Sequence, residues 1–120
     1  MKTGSILSDK TLAFAIRVVK LYKYLIEEKK EFVMSKQILR CGTNPGAMVR
    51  EAMNAESGLD FIHKLAVAQK EVAETTYWLE LLQATNFLNQ PEFESMKIDA
   101  EEIMRLLRSS ILTRKQNLNK

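Results

Sequence analysis

Between positions 61 and 82, seven side chains recur at alternating steps of four and three: Phe61, Leu65, Ala68, Val72, Thr75, Leu79 and Leu82. Phe93, Met96, Ala100, Ile103, Leu107 and Ile111 continue the same habit further along. Steps averaging about 3.5 residues keep one stripe on one side of an α-helix, whereas a strand would need a step of two. Two long striped helices this close in sequence must bury their apolar faces on each other or on further helices. The remainder of the chain offers two more. Punctuation and periodicity predict helices at about 9–30, 35–55, 58–86 and 91–114, with Ser8 or Asp9 capping the first. Ser57 or Asp60 caps the third, and Pro91 opens the fourth. The charged run Glu27-Glu28-Lys29-Lys30-Glu31 reads as a solvated turn. Pro45, within Gly42-Thr43-Asn44-Pro45-Gly46, is expected to kink or break the second helix. Short connections place successive helices side by side. The expectation is an all-α, antiparallel up-down-up-down four-helix bundle, one domain spanning 1–120. Only four Gly and two Pro among 120 residues argue against a turn-rich sandwich or barrel.

Such a bundle invites a di-iron reading, which needs Glu from two helices and a Glu-x-x-His motif from each of two others. His63 is the only histidine, so that site fails by count, and neither metal nor cofactor is expected. No P-loop follows Gly42–Gly46, and no His-Glu-x-x-His is present. Glu71 and Glu74 are three apart and Lys70 and Glu74 four apart, a spacing suited to ion pairs on a helix face. An enzyme is not expected. Cys41, the lone cysteine, reads as a small buried hydrophobe and fits a reducing compartment. Residues 1–10 carry no apolar signal-peptide core, and no apolar run of about 18 residues exists to span a membrane. The expected location is cytoplasmic, with no membrane partner.

The first helix carries more apolar surface than a bundle needs. Leu12, Ile16, Val19 and Ile26 form one stripe, and Phe14, Val18, Leu21 and Leu25 form another on nearly the opposite side. One stripe serves the core, and the other wants a partner. Self-association through Phe14, Val18, Leu21 and Leu25 is the expectation.

The formal charge of +3 hides a polarity. Residues 1–26 hold Lys2, Lys10, Arg17, Lys20 and Lys23 against Asp9 alone. Residues 105–120 hold Arg105, Arg108, Arg114, Lys115 and Lys120 with no acid, while the intervening stretch is acidic. Antiparallel first and fourth helices bring the two basic segments together, the footprint expected for a phosphate backbone. Lys10, Arg17, Lys20, Arg108, Arg114 and Lys115 are the candidate nucleic-acid contacts.

Three blocks carry a resemblance: Arg40-Cys41-Gly42-Thr43-Asn44-Pro45-Gly46-Ala47-Met48-Val49-Arg50-Glu51-Ala52, Asp60-Phe61-Ile62-His63-Lys64-Leu65, and Glu74-Thr75-Thr76-Tyr77-Trp78-Leu79-Glu80-Leu81-Leu82. Over about residues 10 to 112 the chain resembles a four-helix-bundle family first met as reading frames in intervening sequences of bacterial large-subunit rRNA genes. The resemblance implies an antiparallel bundle that assembles as a homopentamer, with molecular function largely unassigned. A related protein is the basic, RNA-binding accessory subunit of diversity-generating retroelements. Pro45 stands where the family usually has an aliphatic residue and Met48 where it has Asn, while Glu51, Glu74, Tyr77, Trp78 and Glu80 match. The expected function is sequence-independent binding of RNA or DNA by a homo-oligomer that repeats its basic surface. The alternative is a scaffold that docks a protein encoded alongside it.

Overall fold

The computed structural model describes the backbone of residues 2–118 and the side chains of 6–118. Four helices account for nearly all of it: α1 (Lys2–Glu27), α2 (Met34–Met53), α3 (Gly58–Ala84) and α4 (Gln90–Leu118). Each packs on its neighbours in sequence, and α4 closes back on α1. The result is an elongated up-down-up-down bundle measuring 52 × 22 × 19 Å. One end gathers the start of α1, the end of α2, the start of α3 and the end of α4. There Arg50 of α2 donates from Nε to the Ser8 hydroxyl of α1, and Arg114 of α4 lies over the Phe61 ring of α3.

The stripes of α3 and α4 point inward as their spacing requires. All seven α3 positions are buried, as are Phe93, Met96, Ala100, Ile103 and Leu107 of α4. Thr75 sits in this apolar stripe without cost in unmet polarity, because its hydroxyl donates to the Glu71 carbonyl of the preceding turn. Cys41 is buried beside it, and burial pushes its thiol up to about 11, so it stays protonated at neutral pH.

Ends and turns depart from the sequence reading in informative ways. α1 begins at Lys2, ahead of the expected cap, because Leu7 continues the buried stripe of Phe14 by one more heptad step. Ser8 is therefore an interior helical residue. α2 runs through Pro45 without the expected break. Pro45 is buried, and the packing of α2 on α1 and α3 holds the helix across the missing N–H. Ser57 caps α3 as expected, its hydroxyl accepting from the Asp60 N–H. α3 then ends with Asn86 in the left-handed region (φ 69°), while the Phe87 N–H reaches back to the Leu82 carbonyl.

The turn between α1 and α2 is not merely solvated. Lys30 takes a left-handed conformation (φ 54°), and the Glu31 N–H closes α1 on the Leu25 carbonyl. The Glu31 side chain, 9% exposed, then accepts from the Val33, Met34 and Ser35 N–H groups that open α2. Burial alone would raise its pKa, but these three donors outweigh it and hold the carboxyl below its ordinary value.

Helices α1 and α2 approach closely at Gly42. A Cβ there would lie 2.7 and 2.8 Å from the two Val18 methyls and 3.2 Å from Val18 Cβ. One turn on, a Cβ at Gly46 would meet Thr11 no closer than 3.5 Å.

These distances separate the two glycines. Gly42→Ala should lower the urea midpoint at unchanged slope: overpacking typically costs about 1–3 kcal/mol, against about 1 kcal/mol of helix propensity gained. Gly46→Ala gains the same propensity without a clash and should be neutral or stabilising by up to about 1 kcal/mol. For Glu31 the depressed folded pKa means its contribution is full above the unfolded carboxylate value of about 4.3. That contribution is lost as pH falls through the lower folded pKa. Glu31→Gln should cost about 1–3 kcal/mol at pH 7 in denaturant melts, with the deficit shrinking steadily on acidification below about pH 4.

Candidate nucleic-acid interface

The antiparallel pairing of α1 with α4 does bring the basic start of the first near the basic end of the last. It also brings acids. Arg17 donates from Nη1 to Asp99 at 2.7 Å and from Nη2 to Glu92 at 3.1 Å, and Lys10 lies 3.2 Å from Glu102. Partial burial alone would lower the Arg17 pKa, yet the two carboxylates raise it above its ordinary value. Lys10 and Arg17 are thus stitches along the α1–α4 seam, already neutralised. Three acids of the intervening stretch, Glu92, Asp99 and Glu102, lie on this seam.

Arg114 is diverted differently. Its guanidinium stacks 4.9 Å above the Phe61 ring at the end of the bundle, a cation–π contact that turns it away from the outer surface. Three of the six sequence candidates remain outside any such arrangement. Among the described residues, no ion pair involves Lys20, Arg108 or Lys115. Arg105, on the same half of α4, is likewise exposed and outside those pairs. At about 100° per residue, Arg105, Arg108 and Lys115 fall on one outer arc of α4, facing away from α1. Lys20 instead borders a cleft of about 470 Å³ between α1 and the start of α4, together with Arg17, Tyr24 and Asn89. The single basic surface of the sequence reading is therefore two: an α4 arc, and a cleft at the far end of the α1–α4 seam. Lys2 and Lys120, counted in the basic ends, have side chains outside the described residues.

The apolar face of α1 needs a correction. Phe14, Val18, Leu21 and Leu25 are buried against the other helices of the same chain, at 7% exposure or less. They cannot meet a partner. The stripe left outside is the opposite one, with Leu12 50% exposed, Ile16 48% and Val19 36%. Periodicity cannot rank two equal stripes. Gly42 ranks them, because only the Val18 face has a partner helix shaped to receive it.

A second polar constellation joins α2 to α3. Arg40 donates to Glu71 at 3.2 Å and to Glu74 at 2.7 Å, and the Asn44 amide donates to Glu71 at 3.1 Å. Glu74 also accepts from the Trp78 indole N–H at 3.1 Å. That bond, then Arg40, holds the Glu74 carboxyl below its ordinary value. Glu51 pairs with Lys64, again between α2 and α3. Glu74 thus turns to α2 rather than to Lys70 on its own helix. Arg40 was visible in the sequence, but nothing in the spacing of one helix reveals a partner more than thirty positions away. Tyr77 stands 55% exposed, its ring edge-on to Trp78, and Glu80 is exposed beside it. His63 is exposed and joins neither group. Among the described residues no three His, Cys, Asp or Glu side chains gather as a metal site, and no helix is long and apolar enough to cross a membrane.

Comparison with known proteins agrees with this architecture. No curated protein matches the sequence. A crystal structure from Bacteroides thetaiotaomicron, described as a protein of unknown function from the S23 ribosomal protein family, superposes with a TM-score of 0.90 at 53% identity. The alignment covers 91% of this chain and 97% of that one. The profile of the 23S rRNA-intervening sequence proteins matches residues 5–109, spanning all three sequence blocks and reaching into all four helices. The chain belongs to the 23S rRNA-intervening sequence protein family.

Proposed function

We propose that this protein is a non-enzymatic, self-associating bundle that holds the phosphate backbone of RNA or DNA without reading bases. The observation that carries the nucleic-acid part is the asymmetry along α4. Its first half places Glu92, Asp99 and Glu102 against α1 cations, while its second half presents Arg105, Arg108 and Lys115 outside any described ion pair. Cations already matched to carboxylates add little to an approaching phosphate, whereas solvated, unmatched ones release counterions when it binds. Lys20 adds a second, separate cation at the cleft between α1 and the start of α4. Lys10, Arg17 and Arg114 drop out of the contact set on the same reasoning.

Self-association is supported by the exposed Leu12–Ile16–Val19 stripe, which reaches over two helical turns of α1. A pentamer is the count that the family resemblance implies. Repeating a patch of three or four cations around a ring multiplies weak phosphate contacts into useful avidity. The alternative, a scaffold for a separate protein, finds its support in Tyr77 on the outer face of α3, since exposed tyrosines are enriched at interfaces.

Sedimentation at micromolar concentration should give an oligomer. Leu12→Glu with Ile16→Glu should give a folded monomer, because neither side chain reaches the core. Wild-type protein that sediments as a monomer overturns this part. Labelled single- and double-stranded oligonucleotides of unrelated sequence should bind similarly at about 50 mM salt and weaken steeply as salt rises. Arg108→Glu with Lys115→Glu should weaken all of them alike and flatten the salt dependence, by about one unit of log–log slope for each cation removed from the phosphates. An oligomer that binds none of them at low salt favours the scaffold.

A further inference from the structure

Where the four helix ends converge, the structure forms a partly open recess of about 100 Å³ that the nucleic-acid reading does not use. Its walls are apolar and come from three helices: Leu7 of α1, Val49 of α2, and Phe61 and Leu65 of α3. Its polar groups come from one helix only, α4, which contributes Ser110 and Arg114 to the lining. Two of these groups have unmet demands. The Ser110 hydroxyl is shut off from solvent and has no hydrogen-bond partner among the described residues. The Arg114 guanidinium rests on the Phe61 ring and is in no ion pair with a described carboxylate. A buried hydroxyl without a partner costs free energy that a suitable acceptor would recover. A guanidinium presents a fork of donors shaped for a carboxylate.

We propose that this space is a binding site for a short-chain aliphatic carboxylate, of about four to six carbons by the room available. The hydrocarbon tail lies among Leu7, Val49, Phe61 and Leu65. The carboxylate accepts from the Arg114 guanidinium and, with the Ser110 side chain turned from its present solvent-shielded position, from the Ser110 hydroxyl; the two stand one turn apart on α4 and so reach one head group together. A neutral alcohol of the same length fills the tail space but leaves the guanidinium unmatched. A small anion such as acetate matches the guanidinium but leaves the apolar walls unfilled. The site discriminates by requiring both halves.

The test is titration of isotopically labelled full-length protein with sodium hexanoate, 1-hexanol and sodium acetate at pH 7, followed by backbone amide shifts. Hexanoate should give saturable shifts centred on Leu7, Val49, Phe61 and Ser110, with affinity about tenfold better than that of hexanol. Arg114→Gln should abolish that preference while leaving hexanol binding in place, and Ser110→Ala should weaken hexanoate severalfold. Both positions are half-buried at the end of the α4 stripe, so unchanged thermal melts are needed to show that the variants fold. The proposal is overturned if hexanoate produces no saturable shifts up to about 10 mM, a generous ceiling for a ligand of this size. It is equally overturned if hexanol binds as well as hexanoate, if acetate matches hexanoate, or if Arg114→Gln leaves hexanoate binding unchanged.

Discussion

The contact of Val18 with the bare Cα of Gly42 sets the rotation of α1 about its own axis. Everything else about this helix follows from that angle. With Val18 seated, Leu7, Phe14, Leu21 and Leu25 share its side and fill the core. Lys10 and Arg17 then face α4, and Leu12 and Ile16 are left facing water. Because the helix is apolar on two sides, no burial term alone would choose between them. The choice is made by shape, at a position where a methyl group would not fit.

The four packed seams are of unequal character. Ion pairs line both the α2–α3 and the α1–α4 seams, but α1 meets α4 more sparsely than the other helices meet, so there the charges make up more of the contact. Those charges are a third to a half exposed, so screening leaves them little net stabilising effect. Their consequence is geometric. They align α4 against α1 along its length, pairing Glu92, Asp99 and Glu102 with Arg17 and Lys10.

Much of this architecture is legible from the residues alone, and the reasons for the exceptions are physical. The α3 stripe could be read because its four-and-three spacing runs unbroken through seven positions. The α1 stripes could not be ranked, since the deciding feature is a glycine on another helix. Net charge per segment was readable, but its cancellation was not: Arg17 and Asp99 are 82 positions apart, and only the packed bundle brings them together. Arg114 was counted as a surface cation because sequence records its charge but not the aromatic ring beneath it. Glu31 looked like one more solvated charge in a polar run. Its role as a cap depends on the path of the turn, which the left-handed Lys30 determines.

That turn has a consequence for how the chain can vary in length. Glu31 ends one helix with its amide and begins the next with its carboxylate, so the two functions are locked to a single residue. An extra residue on either side would separate one of them from its target. Between α3 and α4 the same two tasks are divided: Asn86 and Phe87 finish α3, and the Asn89 side chain accepts from the Glu92 N–H to start α4. Additional residues could be accommodated between those two devices while both stay intact. The α1–α2 hairpin is thus rigid and the α3–α4 hairpin adjustable, and natural insertions or new chain ends suit the latter better than the former.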